Sequence, residues 1–168
     1  MKLELRNVKV IKELSEETTC FHAILYVDGK KAAECSNRGT GGMTDVYFEN
    51  QEIKEKVVNF CKENPVVNYF GDKKIEYEGV DIRVDELLVE YQMKKDLKNK
   101  QKHSLVLRKE KFKDAPYIIH AYAKQLFPIE KMMQDETKRD SLRRQIIDLR
   151  KQGYTIMNTN IDYKSLGL

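Results

Sequence analysis

The sequence lacks tryptophan, carries only three prolines and three cysteines, and nowhere stays apolar for the ~18 residues that a membrane-spanning helix needs. Each scarcity removes a class of protein. Cys20, Cys35 and Cys61 are odd in number, lie 15 and 26 positions apart and form no C-x-x-C, so neither a disulfide framework nor a paired-thiolate metal motif is indicated. Reduced thiols fit a cytoplasmic setting. The opening Met1-Lys2-Leu3-Glu4-Leu5-Arg6 alternates charge with apolar residues and has no apolar centre of a secretion signal. With so few prolines and no low-complexity tract, no linker is evident, and the 168 residues are expected to form one domain over 1–168. A chain of that length buries enough surface to fold without a metal or disulfide.

Charge, by contrast, is abundant. There are 31 basic and 27 acidic residues, a net +4 that hides an asymmetry. Asp45 to Glu90 holds 12 acids against 6 bases, leaving 25 bases and 15 acids elsewhere. The densest basic block runs from Lys94 to Lys113, with nine bases against Asp96 and Glu110. Such a block either keeps the protein soluble or steers it toward phosphates or an acidic partner.

The first third reads as strands. Leu3, Leu5, Val8, Val10 and Leu14 are separated by polar residues, with a register slip near Asn7 that suggests a bulge. Thr19–Val27 and Lys31–Ser36 flank Asp28-Gly29, a strong signal for a two-residue hairpin turn. Asn50 caps a predicted helix with the stripe Ile53, Val57, Phe60, Cys61, ended by Asn64-Pro65. Short strands are expected near Val67–Phe70 and Lys74–Tyr77. Asp85 is read as the cap of a second helix, whose inward stripe Val84, Leu87, Leu88, Tyr91 is continued by Lys95, Lys98 and Lys102. Strands follow at Ser104–Leu107 and Tyr117–Tyr122. Pro128 suits the start of a helix, and the polar run Gln134–Ser141 predicts a break or a solvent-bridging segment before Asp140 restarts a helix that Gly153 stops. Tyr154–Met157 closes the pattern as a strand. Strands first, then mixed elements, predict α+β: an antiparallel sheet begun by an N-terminal hairpin, with three to four helices packed on it.

Asn37-Arg38-Gly39-Thr40-Gly41-Gly42 lacks the Lys-Ser/Thr of a phosphate loop and the third glycine of a dinucleotide fingerprint. Its amides, around Arg38, Gly39, Gly41 and Gly42, retain the option of an anion nest. A strictly two-residue turn pairs His22 with Cys35, with Cys20 one diagonal away, close enough to share a metal. No fourth ligand is evident, and sheet cysteines are usually only buried. His103 and His120 have no nucleophile or acid at a recognisable spacing, so no catalytic residue, metal or cofactor is assigned and an enzyme is not expected. The candidate binding residues for an anionic partner are Lys94, Lys95, Lys98, Lys102, Arg108, Lys109 and Lys111, acting through phosphate contacts. No signature of a standard nucleic-acid module accompanies them.

Leu5-Arg6-Asn7-Val8-Lys9, Glu17-Thr18-Thr19-Cys20-Phe21-His22-Ala23, Val27-Asp28-Gly29-Lys30-Lys31 and Ser36 to Gly42 together resemble small uncharacterised proteins of phages, plasmids and bacterial genomes, whose loop runs Asn-Asp/Glu-Gly-x-Gly-Gly. Arg38 replaces the acid of that loop. The resemblance implies a mobile-element accessory protein in the host cytoplasm, of the kind that includes anti-CRISPR proteins. The resemblance implies that such a protein acts by binding a host protein or ribonucleoprotein and inhibits a host defence nucleoprotein such as an RNA-guided nuclease. A general RNA- or DNA-binding protein using Lys94–Lys113 is the alternative, and a small enzyme with a metal or phosphate site near the hairpin is a second one.

Overall fold

Asp28 and Gly29 both adopt positive φ, 47° and 83°, so the first hairpin turns through the primed geometry that matches strand twist. The structure is a computed structural model and describes residues 1–70, 72–109 and 121–168. Strands β1 (Leu3–Val10), β2 (Phe21–Val27), β3 (Lys30–Asn37) and β4 (Asp45–Phe48) form an antiparallel sheet in that order. Asn7, at φ 54°, lies in the register slip between Arg6 and Lys9, as the sequence pattern predicts.

The turn is as expected, but the register beyond it is not. Val27–Lys30 and Tyr26–Lys31 pair across the turn, and then Leu25 faces Ala33, leaving Ala32 as an extra residue. This bulge moves every later pair by one position. Cys35 therefore faces Ala23, both fully buried, while His22 faces Ser36 and is exposed. The expected His22–Cys35 pairing is thus corrected, and the two side chains take opposite faces of the sheet. Burial pushes the Cys35 thiol up to about 12, which leaves it an inert core group.

Helix α1 (Gln51–Glu63) is capped as the sequence suggests, with Asn50 Oδ1 accepting the Ile53 N–H at 3.1 Å. The hairpin β5 (Val66–Phe70) and β6 (Lys73–Tyr77) forms a sheet of its own. Helix α2 (Val80–Lys100) begins before Asp85, which lies inside it instead of capping it. Val84 and Leu88 of this helix pack on Leu5, Phe21, Ala23, Leu25 and Ala33 of the four-stranded sheet. Truncating a buried leucine there to alanine costs about 2–5 kcal/mol.

A third sheet is ordered β8-β7-β9, from β7 (Ser104–Lys109), β8 (Ala121–Lys124) and β9 (Tyr154–Ile156). Most of the strand expected at Tyr117–Tyr122 falls outside the described residues. Helices α3 (Ile129–Gln134) and α4 (Glu136–Lys151) cover this sheet, with Leu105, Leu107, Ile129, Met132, Leu142 and Ile146 in one core. The polar run is interrupted only at Asp135, whose carboxylate accepts the Lys138 N–H at 3.0 Å and so starts α4 well before Asp140. Gly153, at φ 80°, follows the helix end as expected.

Four helices and nine strands among the described residues give the α+β class, its strands divided among three sheets. The chain forms two compact units, residues 1–92 and 93–168. No helix among the described residues is long and apolar enough to cross a membrane.

Gly29 and Gly39 share a left-handed backbone, φ 83° and 88°, but differ in their surroundings. A Cβ on Gly29 meets open space, whereas one on Gly39 collides with the Leu14 carbonyl oxygen and Cys20 Cβ. Gly29→Ala should therefore cost only the conformational strain, about 1–2 kcal/mol. Gly39→Ala should cost clearly more, and equal losses for the two variants in chemical denaturation would refute the distinction.

Candidate functional site

In the second unit the end of α2 is fixed by buried side-chain amides. Gln101 Nε2 donates to the Met157 carbonyl at 3.0 Å, and its Oε1 accepts the Thr159 hydroxyl at 2.9 Å. Asn160 Nδ2 donates to the Gln101 carbonyl at 2.9 Å. Asn158 Oδ1 accepts the Val106 N–H at 2.7 Å, and its Nδ2 donates to the Ser104 carbonyl at 3.0 Å, so it serves as a strand partner for β7 beyond the end of β9. Opposite, the Ile129 N–H donates to the Lys102 carbonyl at 2.9 Å and holds the start of α3 in place.

Between these walls lies a groove of about 720 Å³. Lys94, Lys98 and Lys102 line it; Lys94 and Lys98, four apart, share one face of α2 about 6 Å apart along its axis, and Lys102 follows in the turn after the helix. His103 and Glu130 join them. Among the described residues no carboxylate is within ion-pair reach of Lys98 or Lys102, while Lys100, facing elsewhere, pairs with Asp96 at 2.7 Å. Lys95 is exposed but does not line the groove. Arg108 and Lys109 sit at the other end of β7, opposite Thr155 and Tyr154, with Lys109 Nζ 5.5 Å from the Tyr154 ring centre. Lys111 lies outside the described residues. The groove thus takes up part of the basic block, together with Glu130, Thr159 and Asn160, which no linear motif announces.

No family model, curated protein or solved structure matches the chain.

The glycine loop has other employment for its amides. The Gly39 N–H donates to Asn37 Oδ1 at 2.8 Å and the Gly41 N–H to Thr18 Oγ1 at 3.3 Å, while the Gly39 carbonyl accepts from Glu16, Glu17 and Thr18. Arg38 is exposed beside them, and Gly42 offers its carbonyl to Asn37 Nδ2 at 2.9 Å. With the Gly39 and Gly41 amides engaged inside the fold, the loop works as a connection between β3 and β4. Asn37 Nδ2 also reaches Thr44 Oγ1 at 3.2 Å, and Thr44 donates to Asp85 Oδ1 at 2.6 Å. Asp85 is the polar residue of this unit that a helix-cap reading misplaces. Among the described residues, no group of three or more His, Cys, Asp or Glu gathers in a way that could hold a metal.

Burial holds the Asp85 carboxyl above its ordinary value of 3.8, the Thr44 hydrogen bond opposing and Asp81 adding to the shift. In this direction the folded protein binds the proton more tightly than the unfolded chain does. Stability therefore falls as pH rises through the window that opens near 3.8, and the loss is complete above the folded-state value. Asp85→Asn keeps an oxygen for Thr44 and removes the charge. It should melt higher than wild type at neutral pH, with the difference shrinking toward zero in acid. A difference independent of pH would contradict the assignment.

Proposed function

We propose that this protein acts by binding, and that the lysine groove holds the phosphate backbone of a single strand of nucleic acid presented by a nucleoprotein. The observation that carries this reading is the row Lys94, Lys98, Lys102, three cationic heads along one concave wall. Two of these lysines stand on the last turns of α2 and the third on the turn that follows it, so their charges can meet successive phosphates of one strand. Among the described residues, His103 is the one ring in the lining that a base could stack on. Binding is accordingly dominated by phosphate and carries little sequence information. The likeness of residues 3–42 to small proteins of mobile elements supports a setting in host defence. There an RNA-guided nuclease exposes such a strand, and occupying it would inhibit the complex.

Fluorescence anisotropy with a labelled single-stranded RNA tests the groove. Wild type should show a log–log salt slope near −2, about −0.7 for each of three phosphates. The combined Lys94→Glu, Lys98→Glu, Lys102→Glu variant should bind at least ~30-fold more weakly, with its fold retained because surface changes cost about 0.5 kcal/mol or less each. Lys109→Glu, off the groove, should remain within about twofold of wild type. Undiminished binding by the triple variant would dismiss the groove. Recovery of the same nucleoprotein from a bacterial lysate by wild type, but not by the triple variant, would identify the partner.

A further inference from the structure

The first unit holds a second concavity, of about 170 Å³, lined by Thr18, Thr19, Phe21, Asp85, Leu88 and Gln92 among others. At about 30 Å³ per water it has room for about five waters, the size of one side-chain head group with its adjoining methylenes. Its chemistry is asymmetric. Phe21 and Leu88 are buried apolar residues, and Val89 stands at the margin, 46% exposed.

Against this apolar wall Asp85 is half-buried, and among the described residues one of its oxygens is engaged, by Thr44 at 2.6 Å. No lysine, arginine or histidine among the described residues offsets its charge, and Asp81, one helical turn away, adds to the negative potential. The side chains of Thr19 and Gln92 are likewise without hydrogen-bond partners among the described residues, so a hydroxyl and an amide oxygen stand as further acceptors. Thr18 is already committed to Asn37 at 2.8 Å.

We propose that this crevice receives an arginine side chain from a partner protein, with Asp85 pairing its guanidinium and Thr19 and Gln92 accepting its remaining N–H groups. A guanidinium presents five donors in a fixed plane and no acceptor, which matches a carboxylate flanked by a hydroxyl and an amide oxygen that can accept. Its three methylenes lie along Phe21, Leu88 and Val89, as long basic side chains do on apolar surface. The charge that weakens the fold at neutral pH is the charge that the ligand neutralises. This site does not depend on the reading of the lysine groove.

The test is an NMR titration of the full chain with N-acetyl-arginine amide, and with N-acetyl-citrulline amide as an uncharged probe of the same shape. The arginine probe should shift the amides of Thr18, Thr19, Asp85 and Gln92 saturably, and the citrulline probe should bind at least about tenfold more weakly, the difference expected for a charge-assisted hydrogen bond. Asp85→Asn should lose about tenfold or more toward arginine. Val89→Trp should close the margin and block the probe with the carboxylate intact. Equal binding of the two probes, wild-type affinity in Asp85→Asn, or absence of saturable shifts at these four residues would overturn the proposal. Should Asp85→Asn fail to fold, the two-probe comparison and Val89→Trp decide the matter unaided.

Discussion

The buried carboxamide of Asn37 is the joint on which the first unit depends. Its oxygen accepts from Thr18 Oγ1 and the Gly39 N–H, and its nitrogen donates to the Gly42 carbonyl and Thr44 Oγ1. One side chain thereby ties the end of β3, the glycine loop, the segment before β2 and the approach to β4. Thr44 passes the chain of bonds to Asp85 and so to α2. An alanine there would leave several buried groups unsatisfied at once, and the cost of unmade buried hydrogen bonds exceeds the gain from made ones. The second unit uses the same device. Asn158 stands in for missing strand backbone and Gln101 receives the C-terminal segment at the end of a helix. In both units a buried amide replaces regular structure where a strand or helix stops.

That device explains why a helix that begins on an apolar core ends among lysines. The stripe Val84, Leu88 has no apolar continuation, and burying unpaired lysines would be prohibitive. Gln101 supplies the anchor in their place, with all its polar atoms paired. The helix end stays fixed while Lys98 and Lys102 face solvent. If the groove binds as proposed, fixed walls would spare it the cost of ordering its own side chains.

The local signals in the sequence were legible because each acts over a few residues. Asp28-Gly29 dictates positive φ at two positions, Asn50 caps its own third neighbour, and Gly153 terminates α4. The bulge at Ala32 was not legible, since Ala32 and Ala33 are both buried and either register offers a small apolar residue to the core. β4 escaped notice because four residues after a glycine cluster carry too little periodicity to register. Asp85 resembles a cap by residue type, yet its partner Thr44 is 41 positions away, beyond any local rule. The polar run at Gln134–Ser141 looked like a break because helix continuity there rests on the Asp135 cap and on Leu142 and Ile146 downstream, not on apolar spacing within it. Of the basic block, the sequence showed the charges but not the groove, whose other wall comes from Pro128, Glu130 and the residues after β9.

The charge asymmetry then takes on a structural meaning. The acidic stretch Asp45–Glu90 contributes the Asp85 carboxylate, partly withdrawn from water and paired with no cation among the described residues, at a standing cost to stability. The basic remainder contributes a row of lysines, two of which no carboxylate among the described residues reaches. The half-buried charge of Asp85 is not what folding alone favours, whereas an exposed unpaired lysine costs the fold almost nothing. On the two proposals, one site would take phosphate and the other guanidinium. Those are the two groups that proteins and nucleic acids use to hold each other, and a nucleoprotein exposes both. If both proposals hold, a protein offering acceptors to arginine and donors to phosphate would compete for each half of such a contact with the chemistry of the other half.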